Sequence, residues 1–452
     1  MSPTRRGFFI RAAAVSGAAL VRRVVTTLTG RLTAAYAAVV TTPSAQSAIT
    51  HGPFVGHVTS TSASVWARCS TPGVYRLTAR GIGERRELAT TAEATPENDM
   101  CVVWRVTGLE AETRYGYEVT SRGQQILGDE DTFFVTPPAE DAPTITRLAI
   151  GSCAREDPGS SAVWRRMSAM DPHAVVLLGD TPYIDSTVLD IQRTRYGEFA
   201  AVPDFAALLR NRPLYATWDD HDFGANDTNG QLDGKANSRR AFIEYHANPS
   251  YGDGDHGVYT KFRRGGVEVF LLDTRYFAGT EPSPVAAGRT TLLGRQQWDW
   301  LREGLRASRA PFKLLASGMI WNEAVRPGKP DHWGSYLYER EALFRFIGQE
   351  RISGVVLAGG DVHRTRVLRY ETVETAGYPI TELITSPIHE GVIDAANAPH
   401  PALVHDSGEP HSFLFITVDT TVTPPTLAAQ FRNEAGRVLY SLTLNTAMLS
   451  PA

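Results

Sequence analysis

Four apolar runs that each stop at a metal-binding side chain constrain the fold of this chain more than any other feature. Arg147-Leu148-Ala149-Ile150-Gly151-Ser152 ends at Cys153, Ala174-Val175-Val176-Leu177-Leu178-Gly179 ends at Asp180, and Leu214-Tyr215-Ala216-Thr217 ends at Trp218-Asp219-Asp220-His221-Asp222. Gly354-Val355-Val356-Leu357-Ala358 runs into Gly359-Gly360-Asp361-Val362-His363. These runs have strand length and lack polar alternation, so they predict strands covered on both faces. Val163, Trp164, Met167 and Met170 recur at helical spacing between the first two, and Pro203-Asp204-Phe205 opens another helix before the third. Val267-Glu268-Val269-Phe270-Leu271-Leu272 and Phe312-Lys313-Leu314-Leu315-Ala316 extend the alternation. The repetition predicts an α/β domain, and in open sheets of this kind ligands bind beyond the carboxyl ends of the strands. Oxygen, nitrogen and sulfur donors delivered to one edge predict a metal site.

Residues 48–136 follow a different period. Ser64-Val65-Trp66-Ala67-Arg68, Val102-Val103-Trp104-Arg105-Val106 and Tyr115-Gly116-Tyr117-Glu118-Val119, parted by Gly and Pro, predict a small antiparallel β-sandwich. Pro137-Pro138-Ala139-Glu140-Asp141-Ala142-Pro143 predicts a linker over 137–144, because proline withholds ladder donors and keeps the chain extended. The second domain then spans 145–452. In residues 1–47, Arg5-Arg6 precedes a weakly apolar, alanine-rich stretch, which predicts a twin-arginine leader with a small-x-small cleavage pattern at Ala35-Tyr36-Ala37. Export in the folded state follows as an expectation, with the twin-arginine machinery as a partner and the periplasm or extracellular cell envelope as destination. A formal net charge of -4 gives no pull toward nucleic acid or an anionic membrane. No later apolar run approaches the ~20 residues that span a bilayer, so no stable membrane insertion is expected. Of Cys69, Cys101 and Cys153, at least one must stay unpaired, and Cys153 is expected to be that one.

Several motifs in fixed order resemble one family. They are His51-Gly52-Pro53-Phe54-Val55-Gly56, Gly151-Ser152-Cys153, Gly179-Asp180-x-x-Tyr183, Trp218-Asp219-Asp220-His221-Asp222 with Asn226-Asp227, Leu272-Asp273-Thr274-Arg275, Leu293-Gly294-x-x-Gln297 and Gly359-Gly360-Asp361-Val362-His363. Together they resemble the PhoD-like alkaline phosphatases, a branch of the calcineurin-like metallophosphoesterases. The resemblance covers nearly everything after the leader. It implies a four-layer αββα metallophosphatase sandwich behind an N-terminal fibronectin III/Ig-like domain. It also implies a monomeric phosphoric ester hydrolase acting on small or polymeric phosphate esters, in which two cations clamp phosphate and activate water for in-line displacement. As the resemblance has it, Cys153, Asp180, Tyr183 and His363 hold Fe3+, while Asp180, Asp220, Asn226 and Asp361 hold Ca2+.

The residue chemistry agrees with that assignment. Asp180 is short, anionic and fixed at a strand end, which suits a bridge between two ions. A thiolate and a phenolate favour a trivalent metal, and an oxygen-rich set suits the harder Ca2+. Trp218-Asp219-Asp220-His221-Asp222 offers more groups than a site can use. The simplest mapping makes Asp220 a ligand and His221 the proton donor to the leaving group, with Asp219 and Asp222 as further ligands or orienting groups. Arg275 and His332 are candidate substrate contacts, the alternative for Arg275 being a pair with a neighbouring carboxylate. His51, His57 and His389 lack ligand spacing and receive no role; Ser152 has no histidine-acid relay. Two departures from the family stand out: Thr181-Pro182 before the motif tyrosine, and the absence of histidine in Ala316-Ser317-Gly318-Met319, which leaves the second ion to oxygen. The competing readings are a phosphodiesterase and a catalytically inactive surface binding protein.

Overall fold

The computed structural model describes residues 48–451 except Glu84 and Pro327, so the leader expected over 1–47 lies outside the described residues. Strands Ile49–Val58, Ser62–Cys69 and Cys101–Thr107 form an antiparallel sheet. Glu87–Ala94, Gly73–Gly81, Arg114–Ser121 and Gln124–Leu127 form a second in that order, with Phe133–Val135 also paired to Arg114–Ser121. Val55, Val65 and Trp104 of the first sheet pack with Tyr75, Leu77, Tyr115 and Val119 of the second. Polar tips in this core are paired: Trp104 Nε1 donates to the Tyr75 carbonyl at 2.9 Å, and the Tyr115 hydroxyl accepts the Glu110 N–H at 2.8 Å.

Two mixed sheets make the larger body. One runs Leu214–Thr217, Ala174–Leu178, Ile145–Gly151, Ser412–Asp419, Thr426–Asn433, Val438–Asn445; its first three strands are parallel. The other runs Thr260–Arg264, Val267–Leu271, Phe312–Ala316, Val355–Gly359, Ile380–Ile384, Thr365–Tyr370, Leu403–Ser407, with four parallel strands at its centre. Each parallel strand explains its own unbroken apolar run. Leu148, Ile150, Val176 and Leu178 face the partner sheet, meeting Val269, Leu314 and Val356. Their alternates Ala149, Val175 and Leu177 face the helical layer, meeting Val163, Trp164, Met167 and Phe205. Helices Pro158–Ala169 and Pro203–Leu209 cover that side; Gly294–Ala307 and Leu337–Gln349 contribute Trp298, Leu301, Leu343 and Ile347 to the core of the other. This is the four-layer arrangement expected for the second domain.

The small sandwich is seated on the helical layer. Trp66 Nε1 donates to the Glu244 carbonyl at 2.7 Å, and Phe54 packs between Trp66 and Phe205 with ring centroids 5.1 and 5.7 Å away. Cys69, Cys101 and Cys153 are all unpaired. Among the described residues no helix is long and apolar enough to cross a membrane.

Candidate metal centre

Strand ends bring the donors together. Cys153 follows Ile145–Gly151, Asp180 follows Ala174–Leu178, Asp220 and His221 follow Leu214–Thr217, and Asp361 and His363 follow Val355–Gly359. The chain turns sharply at these points: Cys153, Asp180, Asp361 and His363 have φ of 56°, 52°, 64° and 53°. Left-handed backbone at non-glycine residues is costly, and its concentration here marks a built site. Gly179 (φ 89°) lets two strand ends touch, since a Cβ there would lie 2.3 Å from the Asp219 nitrogen.

Ligand atoms of Cys153, Asp180 and His363 lie within 4.8 Å of one another, as do those of Asp180, Asp220 and His221. Asp180 is shared by both groups, the position a bridging ligand requires. The Cys153 sulfur is 3.6 Å from Asp180 Oδ2 and accepts a hydrogen bond from Ser386 Oγ at 3.2 Å. The Tyr183 hydroxyl is 2.9 Å from His363 Nε2. A third group joins Asp219, Asp220 and Asp361, and a fourth joins Asp220, Asp227 and Asp331.

Burial and mutual repulsion favour the neutral forms of these donors while no ion is bound. Burial, then the neighbouring Asp180, pushes the Cys153 thiol well above its ordinary range. Burial and then Cys153 do the same to Tyr183. Asp180 is driven up by burial and by Asp220, Asp219, Asp222 and Asp361. A bound ion reverses this bias, because its charge favours thiolate, phenolate and carboxylate together. Burial and then Lys329 lower His363 to about 4, which keeps the imidazole neutral as ligation requires. Burial opposes the ionised form of Asp220, but Arg275, His221 and Lys329 outweigh it and hold this carboxyl at about 2. Buried Asp219 Oδ2 and Asp361 Oδ2 have no hydrogen-bond partner. Orphaned buried carboxylate oxygens are ligands in waiting.

His221 stands at the mouth. Its main-chain N–H reaches Asp220 Oδ1 at 3.0 Å and Asp180 Oδ1 at 3.3 Å, while its Nδ1 is 2.6 Å from Asp185 Oδ1. Asp185 thereby fixes the ring and leaves Nε2 free of intramolecular hydrogen bonds among the described residues. A cavity of about 410 Å³ opens beside Asp227 and Asp331, also lined by Asn229, Arg289, Tyr336 and Tyr338.

Arg275 takes the alternative that the sequence left open, a pair with neighbouring carboxylates. Arg275 does not face a substrate: it is fully buried, with Nε 2.7 Å from Asp219 Oδ1 and Nη1 2.6 Å from Asp331 Oδ1. Its neighbouring carboxylates, rather than phosphate, take its donors. Asn226 is exposed and makes no hydrogen bond to the cluster; the next residue, Asp227, turns in at φ 54° and donates its N–H to Asp220 Oδ2 at 2.6 Å. His332 joins none of the donor groups, and its buried Nδ1 has no hydrogen-bond partner. The missing histidine near Gly318 also has a reason. A Cβ at Gly318 would lie 2.4 Å from Asp219 Cγ, so the Asp219–Arg275 pair occupies that volume.

His389, given no role from sequence, belongs to the centre. Its Nε2 is 2.9 Å from the Tyr183 hydroxyl, and its Nδ1 accepts the Gly391 N–H at 2.7 Å. That backbone donor places the ring proton on Nε2, aimed at the tyrosine oxygen. The signal was present: Ile380–Ile384 is another buried run, and Ser386-Pro387-Ile388-His389 follows it at the same sheet edge. Asp185 and Lys329 were missed as well, since both sit on loops without spacing that marks them.

Comparison with known proteins places this arrangement. Alkaline phosphatase D of Bacillus subtilis (strain 168) is 26% identical over 323 residues, which is 60% of this chain and 55% of that relative, so the match spans about half the relative's length. The solved structure of PhoD superposes with a TM-score of 0.73 at 19% identity, over 88% of this chain and 90% of that one. Purple acid phosphatase PPD1 from yellow lupin (Lupinus luteus) seeds gives 0.65 at 12% identity, over 87% and 74%. Both structural likenesses establish the fold. Residues 46–139 match a domain of unknown function (DUF7800). Residues 148–414, more than half of the sequence and every strand end described above, match the PhoD-like phosphatase profile, and the chain belongs to that family.

Proposed function

We propose that this chain is an exported, metal-dependent phosphoesterase that hydrolyses phosphate monoesters or diesters at the edge where Cys153, Asp180, Tyr183 and His363 meet. The observation that carries the reading is Asp180, which meets Cys153 and His363 in one donor group and Asp220 in another. Fe3+ is the ion that a thiolate and phenolate favour, and the oxygens of Asp180, Asp220 and Asp361 suit Ca2+ where no cation of the protein already occupies them. Ions held there supply Lewis acidity for phosphate and lower the pKa of water.

The chain's own groups do the rest. His389 fixes the Tyr183 oxygen through its Nε2 at 2.9 Å. Asp185 anchors His221 through Nδ1, and Nε2 is left to protonate the leaving oxygen. This pairing supports an enzyme over an inactive binding protein, because an oriented histidine at the mouth serves proton transfer and adds little to the fold. His221→Ala should lower kcat by ~10²–10⁴-fold with metal content unchanged, and Asp185→Asn should lower it by less. Unaltered turnover on aryl phosphate and bis-aryl phosphate would remove His221 from the chemistry; the relative rates on the two esters fix the substrate class.

Arg5-Arg6 supports export through the twin-arginine route. Cell fractionation is expected to find the full chain outside the cytoplasm and an Arg5→Lys, Arg6→Lys variant inside it. Equal export of both would reject the route.

A further inference from the structure

The carboxylates around Asp220 already have cations. Arg275 takes Asp219 and one oxygen of Asp331. The ammonium of Lys329 lies 2.6 Å from Asp361 Oδ1, 3.2 Å from Asp227 Oδ1 and 3.8 Å from Asp331 Oδ2. With its side chain only 5% exposed, this lysine is not a surface residue leaning on the nearest acid. Burying an ammonium costs heavily unless anions surround it.

The loop that carries Lys329 is held at both ends. Trp321 stacks on Trp333 with ring centroids 4.1 Å apart, and Arg275 grips Asp331 two residues beyond the lysine. Between strand Phe312–Ala316 and Asp331 the sequence contains neither histidine nor cysteine. What this loop delivers to the cluster is an ammonium instead of a ligand.

We propose that the Lys329 ammonium takes the place of the second cation, so that the centre works with one metal ion and one tethered positive charge. This rests on the metal-centre reading above and changes its stoichiometry. A divalent ion on Asp361 would stand beside an ammonium on the same buried carboxylate, and like charges at that separation repel strongly in a site with little water. One of the two holds the position. Lewis acidity and water activation remain with the ion at Cys153, Asp180 and His363, while Lys329 supplies the fixed positive charge that neutralises Asp361, Asp227 and Asp331.

The unpartnered oxygens of Asp219 and Asp361 are those a second ion would bind, so metal counting decides the matter. Purified chain, dialysed against metal-free buffer, is expected to keep one metal ion by elemental analysis and to show no Ca2+ binding heat by calorimetry. Lys329→Met and Lys329→Gln are expected to acquire a Ca2+ site, at least ~10-fold tighter than any weak binding by the parent, as the net negative charge of the oxygen set rises. Two tightly held ions in the unmodified protein would overturn the proposal, and so would identical Ca2+ titrations of parent and variants. The parent count decides alone if neither variant folds. An active chain with no metal at all would instead overturn the metal-centre reading itself.

Discussion

Asp180→Asn is expected to cut turnover on aryl phosphate by at least ~10³-fold and to release the bound metal, because the ligands of one ion act as a unit whose losses are not additive. Asp180 is 1% exposed, adopts φ 52°, and places one oxygen 3.6 Å from the Cys153 sulfur and the other 3.3 Å from the His221 nitrogen. Asparagine keeps the shape but loses the charge and one acceptor. The fold should survive. Burial and four neighbouring aspartates already drive this carboxyl toward its neutral form, so removing the charge relieves repulsion when no ion is bound. The metal-free variant is therefore expected to match or exceed the metal-free parent in urea midpoint while losing function. A variant within tenfold of parental turnover and holding its full complement of metal would contradict the assignment of Asp180 as a ligand.

Arg275→Ala is expected to produce the largest loss of stability, about 3–5 kcal/mol, the range for breaking one side of a buried ion pair. The guanidinium is wholly buried and is hydrogen-bonded to Asp219, Asp331 and the Thr228 carbonyl. Truncation leaves buried Asp219 without a counter-ion and Asp331 with Lys329 alone, frees the loop before Trp333, and removes a charge that holds Asp220 at about 2. Arg275→Lys retains the charge but loses the fork that reaches both acids, and an intermediate loss is expected. Urea denaturation reads the effect. If Arg275 were a phosphate clamp, Arg275→Ala would raise KM and leave the denaturation midpoint in place; that outcome would restore the substrate role.

Sequence reading succeeded where burial on both faces leaves a one-dimensional trace. Ala174–Leu178 and Val355–Gly359 are apolar throughout because a sheet covers one side and helices the other, and their ends announce Asp180, Asp361 and His363. The closing strands Thr426–Asn433 and Val438–Asn445 were not legible: the first is buried only at alternate residues, and the second, at the sheet edge, buries only Leu444. Arg275 shows a different limit. A strand-end arginine near a phosphate site reads alike whether it meets ligand or protein, and only the positions of Asp219 and Asp331 decide. Asp185 and Lys329 share one cause of omission: each joins the centre from a loop, through a partner far along the chain, and pairwise distance leaves no periodic mark.

A catalytic metal held by Cys153, Asp180, Tyr183 and His363 ties turnover to metal occupancy. Turnover of aryl phosphate followed through chelator stripping and iron restoration, with elemental analysis of each sample, tests it most directly. Activity is expected to fall and return in proportion to bound metal; full turnover by folded, metal-free protein would remove the metal from the chemistry.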